Sequence, residues 1–319
     1  MQAISSFSDA TFDDVPKPVH VLLLGAAGFI GRHVHTALMK RGLRVTAVCR
    51  PSSTNVTTHC REWTALSLET MCSTHDWLPH LQSVDLVINC VGILRQRLGE
   101  RYDDVHHRMP AALAQACAQV GVRLIHTSAL GLHAQAKSRF LLSKLLGEEA
   151  IAASGADFCI VRPSLIDGLG GFGASWLRML ARWPVHCVPR GAVGKIAAVQ
   201  ATDLGEAYAQ LAQLPTLTQH RQVNLGGERL FSYGEYLQLL RGVESGHRPA
   251  LQIPLPNWIT RIGAHLCDLF RFSPFSYGHW ILLQRDNVPV PNALPDLLGR
   301  APLAVTYQRI ALKDDFRMS

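Results

Sequence analysis

At 319 residues, 48% hydrophobic and 17% charged, the chain can bury a full apolar core, and its composition excludes an intrinsically disordered protein. With 31 basic against 24 acidic residues its formal net charge is +7, which suits an anionic ligand or an acidic membrane surface. No Lys/Arg stripe with interleaved aromatics is present, so no nucleic-acid partner is expected. The eight cysteines (49, 60, 72, 90, 117, 159, 187, 267) form no CxxC pair and no zinc-type spacing with histidine. They read as reduced thiols packed as small hydrophobes, which predicts no metal and a cytoplasmic location.

In chain order, residues 1–18 contain acids and no continuous apolar run, and read as a flexible tail, not a secretory signal. From residue 19, "VHVLLLG" predicts a buried strand, "GFIGRHVHTALMKRG" a helix and "LRVTAVCR" a second strand. Residues 58–82 fit this alternation poorly, so any strand there is expected to be weak. "VDLVINCVG", "VRLIHTSAL" and "DFCIVRPS" predict further strands, with helices at "MPAALAQACAQVG" and "LLSKLLGEEAIAASG" between them. Strand and helix alternating in this way imply an α/β protein with a Rossmann-like, doubly wound parallel sheet covered on both faces. We expect residues 19–166 to form this dinucleotide-binding part. Later returns to the sheet are expected near 195–225, from "KIAAVQATDLGEAYAQLAQ" and "QVNLGG". Residues 167–194 and 226–319, looser and richer in proline from 249 onward, are assigned to a smaller, discontinuous substrate or partner lobe.

The first strand-to-helix corner, "LLLGAAGFIG", carries Gly25, Gly28 and Gly31. Glycines are needed there because the turn is tight, the backbone approaches a pyrophosphate, and the helix lies close to the sheet. The N–H groups of the helix start, from Ala27 and Gly28 through Phe29, Ile30 and Gly31, then face the phosphates with the partial positive charge of the helix end. A dinucleotide site for NAD usually offers an acid at the end of the second strand. This chain has Arg50 there, followed by Ser52 and Ser53, and Arg32 follows the last glycine. Guanidinium forks match phosphate, so NADP(H) is favoured over NAD(H). Asn89, Val91 and Gly92 in "INCVG", and Pro163 and Ser164 in "VRPS", fall at strand ends where the ligand crevice of such sheets opens. Asp203 reads as a helix N-cap.

With "GAAGFIG", "NCVGILR", "IHTSALG", "FLLSK" and "VRPSLIDG" in this order, the chain resembles the short-chain dehydrogenase/reductase superfamily over about residues 19 to 312. More narrowly it is similar to atypical, epimerase/dehydratase-like members related to the NADPH-binding accessory subunit of respiratory complex I, in "VGILRQRLGERYDDVHHRMPAALAQAC" and "FSYGHWILLQRDNVPVPNALPDLLG". The resemblance implies catalytic positions at Ser128, Phe140 and Lys144. In the superfamily a tyrosine hydroxyl in the middle position exchanges the proton, the lysine binds the nicotinamide ribose and lowers the tyrosine pKa, and the serine orients the carbonyl. Here the middle position is Phe140, which has no proton to give.

Three readings stay open. The chain holds NADP(H) as an accessory, scaffold or sensor protein; or it reduces a quinone or another lipophilic or carbonyl substrate with a different proton source, His133 or Tyr102 among the possibilities; or it is a sugar-nucleotide epimerase or dehydratase, a reading weakened by the missing tyrosine.

Near the C-terminus, "PNWITRIGAHLCDLFRF" (256–272) places Trp258, Ile259, Ile262, Leu266, Leu269 and Phe270 at helical spacing, with Arg261 and Arg271. Such stripes usually face a core. The alternative is an interfacial helix on a membrane or a respiratory partner, peripheral to the inner face of a membrane.

Overall fold

The computed structural model describes residues 18–51, 62–96, 99–135, 138–245, 248–270 and 277–305, with side chains described up to Val243 in the fourth segment and up to Cys267 in the fifth. Ser52, Ser53, Cys60 and Arg271, the side chains of Leu269 and Phe270, and nearly all of the expected tail fall outside this description.

The first half of the chain runs β1 (His20–Leu24), α1 (Phe29–Lys40), β2 (Arg44–Cys49), β3 (Glu62–Ala65), α2 (Thr74–Trp77), β4 (Leu86–Asn89), α3 (Met109–Val120), β5 (Arg123–Thr127), α4 (Arg139–Ala153) and β6 (Phe158–Pro163). It continues with β7 (Ile166–Asp167), α5 (Phe172–Ala181), β8 (Val185–Pro189), β9 (Val199–Gln200), α6 (Ala201–Ala212) and β10 (Gln222–Leu225). Last come α7 (Tyr233–Ser245), β11 (Leu251–Leu255), α8 (Asn257–Phe270), α9 (Tyr277–Leu283) and α10 (Leu294–Leu298).

Seven strands form one sheet in the order β10-β6-β5-β4-β1-β2-β3, with every neighbouring pair parallel. β1 and β4 are buried along their whole length, which is why their sequences are unbroken apolar runs and not alternating ones. One face is covered by α1 and α6 around Val34, Leu38, Leu204 and Leu211; the other by α2, α3 and α4 around Trp77, Met109, Leu113 and Ile151. α1 and α6 approach closely because Gly205 has no side chain: a Cβ there would sit 2.6 Å from the His33 carbonyl oxygen. The weak strand expected in 58–82 is β3, a four-residue edge strand paired with β2.

The late elements divide between the sheet and a second core. β10 joins the sheet beside β6, as expected, but β9 does not: it pairs with β7 in a separate two-stranded ribbon. A distinct apolar cluster gathers Ala181, Phe231, Tyr236, Leu240, Ala264 and Trp280 from α5, α7, α8, α9 and the loop before α7. Asp167 ties these parts together, accepting from Arg178 of α5, from Gln200 and from the hydroxyl of Tyr236 on α7. α10 departs from the assignment of 226–319 to the smaller lobe, because Leu294, Leu297 and Leu298 pack on the sheet core against α6.

α4 rests on a π-helical turn, Asp104–Arg108, that leads into α3. The contact is made at Gly147, where a Cβ would lie 1.9 Å from the His106 carbonyl oxygen. Gly147→Ala therefore forces the helix and the turn apart and should lower stability by about 1–3 kcal/mol, read as the midpoint of urea unfolding; an unmoved midpoint would mean that the contact yields without strain.

Candidate functional site

Because the sheet is parallel, all its strands open their C-terminal ends on one edge. The chain leaves β1 towards β2 and leaves β4 towards β5, so the strand order reverses between β1 and β4, which is where open α/β sheets bind ligands. Gly25 lies at this point with φ +74°, a conformation that favours glycine, and its amide donates to the Val48 carbonyl at 3.1 Å. A side chain on Gly25 would press on Cys90 and Val91, the loop after β4. A Cβ on Gly31 would lie 2.1 Å from the Gly25 carbonyl oxygen, so α1 can approach the turn only with glycine in its first turn. Ala27 and Gly28 are exposed at the corner, with Phe29 and Ile30 half-buried behind them. The first amides of α1 lack partners within the helix, as at every helix start.

The expected arginines are placed differently from each other. Arg50 stands at the end of β2, about half exposed, in an ion pair with Glu100. Arg32 instead lies over the Phe29 ring and donates to the Leu169 carbonyl. The glycines of the 168–171 loop close on these two side chains: a Cβ on Gly168 or Gly171 would meet the Phe29 ring, and one on Gly170 the Arg32 guanidinium. Arg32 thus fastens this loop over the start of α1.

At the adjoining strand ends, Asn89 is fully buried. Its Oδ1 accepts from the Val91 amide at 3.0 Å, which leaves its NH2 to donate to Nδ1 of His126 at 3.1 Å. Gly92 lies beside Lys144 and His106; a Cβ there would be 3.9 Å from the lysine Nζ. Lys144 is buried on α4, without a hydrogen bond or ion pair among the described residues. Desolvation lowers its pKa to about 8, opposed by the carboxylate of Glu148 one turn on, which Arg162 holds with two hydrogen bonds. Ser128, just beyond β5, has a buried hydroxyl with no partner. A buried hydroxyl and a buried ammonium, both unpaired, beside a glycine cradle fit the polar ribose and pyrophosphate of a dinucleotide.

Phe140 does not approach the site as a lone ring. It stacks on His279 at 5.5 Å and meets Tyr102 and His106 edge-on. The Lys144 ammonium sits 5.9 Å from its centroid. Of the alternative proton sources, Tyr102 donates its hydroxyl to the Leu94 carbonyl at 2.9 Å. His133 has both ring nitrogens enclosed without hydrogen-bond partners, and burial, with Arg285 nearby, lowers its pKa. Pro163 ends β6 opposite Leu225, and Ser164 donates to the Asn287 carbonyl at 2.7 Å, tying the strand end to the second core. Asp203 is not the cap of α6, which begins after Gln200; it is fully buried and binds Arg300 and the Leu303 amide.

Sequence reasoning missed His106. Its Nε2 accepts from the Ile93 amide and its Nδ1 faces the Ser143 hydroxyl, both at 3.1 Å, so the ring is neutral and braces the loop after β4. The π-helical turn delivers it there, and the "VHH" that precedes "RMP" carries no periodicity that could have revealed it.

A family model described as "NAD dependent epimerase/dehydratase family" matches residues 21–183, from β1 to beyond α5. The chain belongs to that family. Among relatives of this family member, the ceramide reductase of Caulobacter vibrioides is 27% identical over 248 residues, 75% of each chain. The mouse mitochondrial NADH dehydrogenase [ubiquinone] 1 alpha subcomplex subunit 9 is 26% identical over 314 residues, covering 91% of this chain and 77% of its own. A solved nucleoside-diphosphate-sugar epimerase from Staphylococcus aureus shares the fold, with a TM-score of 0.69 at 14% identity over 91% of this chain and 99% of that one.

Burial drives the pKa of His106 well below 6.5 and that of His126 to about 3, with the Lys144 charge adding to both. Below pH 6.5 the unfolded chain therefore takes up protons that the folded chain refuses. Stability from these rings is full above about pH 6.5 and is lost progressively as pH falls towards 3. Calorimetry should show the melting temperature dropping between pH 7 and 5, with a shallower slope in His126→Gln; a flat profile would contradict neutral burial of these rings.

Proposed function

We propose that this family member binds NADP(H) at the β1–α1 corner and works as a cofactor-loaded accessory or sensor protein, without tyrosine-dependent turnover. The observation that carries the reading is the contrast at one site. Ser128 and Lys144 keep buried, unpaired polar groups, while Phe140, in the tyrosine position, is enclosed by Tyr102, His106 and His279.

When bound, the dinucleotide supplies a hydride donor or acceptor; the rest is the work of this chain. The glycine corner would cradle the pyrophosphate, and Gly92 would let the cofactor pass close to the backbone of the loop after β4. Lys144 would donate to the ribose hydroxyls, and Asn89 and His106 would hold that loop in register. Arg50 is the guanidinium offered to a 2′-phosphate, released from Glu100 as the phosphate arrives. The likeness to the complex I subunit supports an accessory role and a respiratory-complex partner at the inner face of a membrane.

A second reading is a reductase of a quinone or other lipophilic carbonyl, supported by the likeness to a ceramide reductase. Its proton would have to come from a group other than residue 140. Sugar-nucleotide epimerisation is supported by the family match and the shared fold, and is weakened by the missing tyrosine.

Mass spectrometry of the small molecule released from freshly purified protein should find NADP(H). Calorimetric titration should show NADPH bound at least tenfold more tightly than NADH, with Arg50→Glu abolishing that preference; no heat from either nucleotide refutes the reading. Affinity should fall several-fold as pH rises through about 8, because Lys144 loses the proton it donates. Lys144→Met should bind weakly at all pH values with no such step. Stable NADPH in the presence of quinones and carbonyl compounds supports the accessory role, and multiple turnovers support the reductase.

A further inference from the structure

The helix α8 is inverted with respect to the protein that carries it. Trp258, Ile259, Ile262 and Leu266 form one stripe at helical spacing, and all four are exposed, Trp258 by 65% and Ile262 by 52%. The face turned inward carries Thr260 and Ala264, a hydroxyl residue and the smallest apolar one. An amphipathic helix normally does the opposite, and among the described residues this stripe meets no core.

The strand that leads into α8 repeats the pattern. β11 pairs in parallel with β8, in the register Leu251↔Val185 and Ile253↔Cys187. These four residues alternate along their strands, so they share one side of the ribbon, and all four are exposed. On the other side His186 is buried against the Ala181 carbonyl and Gln252 bonds to the Gly234 carbonyl of α7. Trp183, just before β8, is 62% exposed. Two tryptophans and seven further apolar or thiol side chains thus face outward within 183–187 and 251–266.

The charges near them in sequence are mostly basic, with Asp268 near the end of α8 the exception. Residues 168–190 and 248–267 contain no Asp or Glu, yet include the exposed Arg182, Arg190, Arg248 and Arg261. On α8, Arg261 and His265 lie one and two turns along the same flank of the apolar stripe. Apolar side chains at the surface with tryptophan and a mostly basic surround match the acyl boundary and anionic headgroups of a bilayer. No helix among the described residues is long and apolar enough to cross a membrane, so the contact is peripheral.

We propose that α8 and the outer side of the β8–β11 ribbon form a docking surface for an anionic lipid bilayer. The proposal does not depend on nucleotide binding and is tested separately from it.

The full chain is mixed with phosphatidylcholine vesicles containing phosphatidylglycerol, and separately with pure phosphatidylcholine vesicles, and sedimented. Binding to the anionic vesicles is expected, at least tenfold stronger than to neutral ones at low salt, weakened by added salt, and accompanied by a blue shift of tryptophan fluorescence. The double variant Trp258→Glu/Ile262→Glu removes two outward side chains and should keep its melting temperature and nucleotide affinity while losing at least tenfold in vesicle binding. Failure of the native chain to bind, or unchanged binding by the folded variant, overturns the proposal. So does light scattering that shows a dimer dissociated by the variant, because the surface is then covered by a second copy.

Discussion

The close approach of α1 to the turn after β1 is the contact on which the rest of the candidate site depends. A carbonyl oxygen and a missing methyl group share one space: the Gly25 oxygen stands where any side chain at residue 31 would begin. That approach brings the start of α1 to the strand-order reversal between β1 and β4. It also sets the Phe29 ring and Arg32 where the 168–171 loop can close on them. The loop in turn leads directly into α5 and the second core, so one steric fit near the N-terminus orients both parts of the molecule.

On the far side of the crevice the organising feature is a neutral, hydrogen-bonded polar network below a charged lysine. Asn89, His126, His106 and Ser143 use their hydrogen bonds on one another or on backbone, which fixes the loop carrying Val91, Gly92 and Ile93. Lys144 and Ser128 are left over. Unpaired buried polar groups cost folding free energy, about 1–3 kcal/mol each without a partner, which a polar ligand at this crevice would offset. Phe140 completes the wall with a ring that packs and cannot exchange a proton.

The second core uses the opposite economy. Its inner residues are aromatic and aliphatic, but among the described residues α8 contributes only Ala264 to the cluster, and Trp258, Ile259, Ile262 and Leu266 face out. An inward face of small residues lets the helix lie flat on the lobe, and its outward stripe continues the apolar side of the β8–β11 ribbon in sequence. The lobe therefore has a buried surface that holds it to the sheet and a second apolar surface that the described residues do not cover.

The alternation of buried apolar runs and amphipathic helices made the parallel sheet readable from the residues, because a strand covered on both faces has no polar positions to place. The glycine spacing likewise announced the cradle, since no other residue tolerates both the positive φ of Gly25 and the contact at Gly31. Phe140 was visible as a departure from a pattern, and its enclosure by three rings was not, because His279 lies 139 positions away in the chain. His106 escaped notice because a π-helical turn breaks the 3.6-residue period that would have assigned it a face. β9 and the stripe of α8 show the same limit: alternation and amphipathicity tell which residues share a side, and only packing decides which side meets protein. Local pattern determined the elements and the cradle; the partners of Arg32, Arg50 and Asp203, and the outward turn of α8, were decided by contacts between segments too distant for any sequence period to connect.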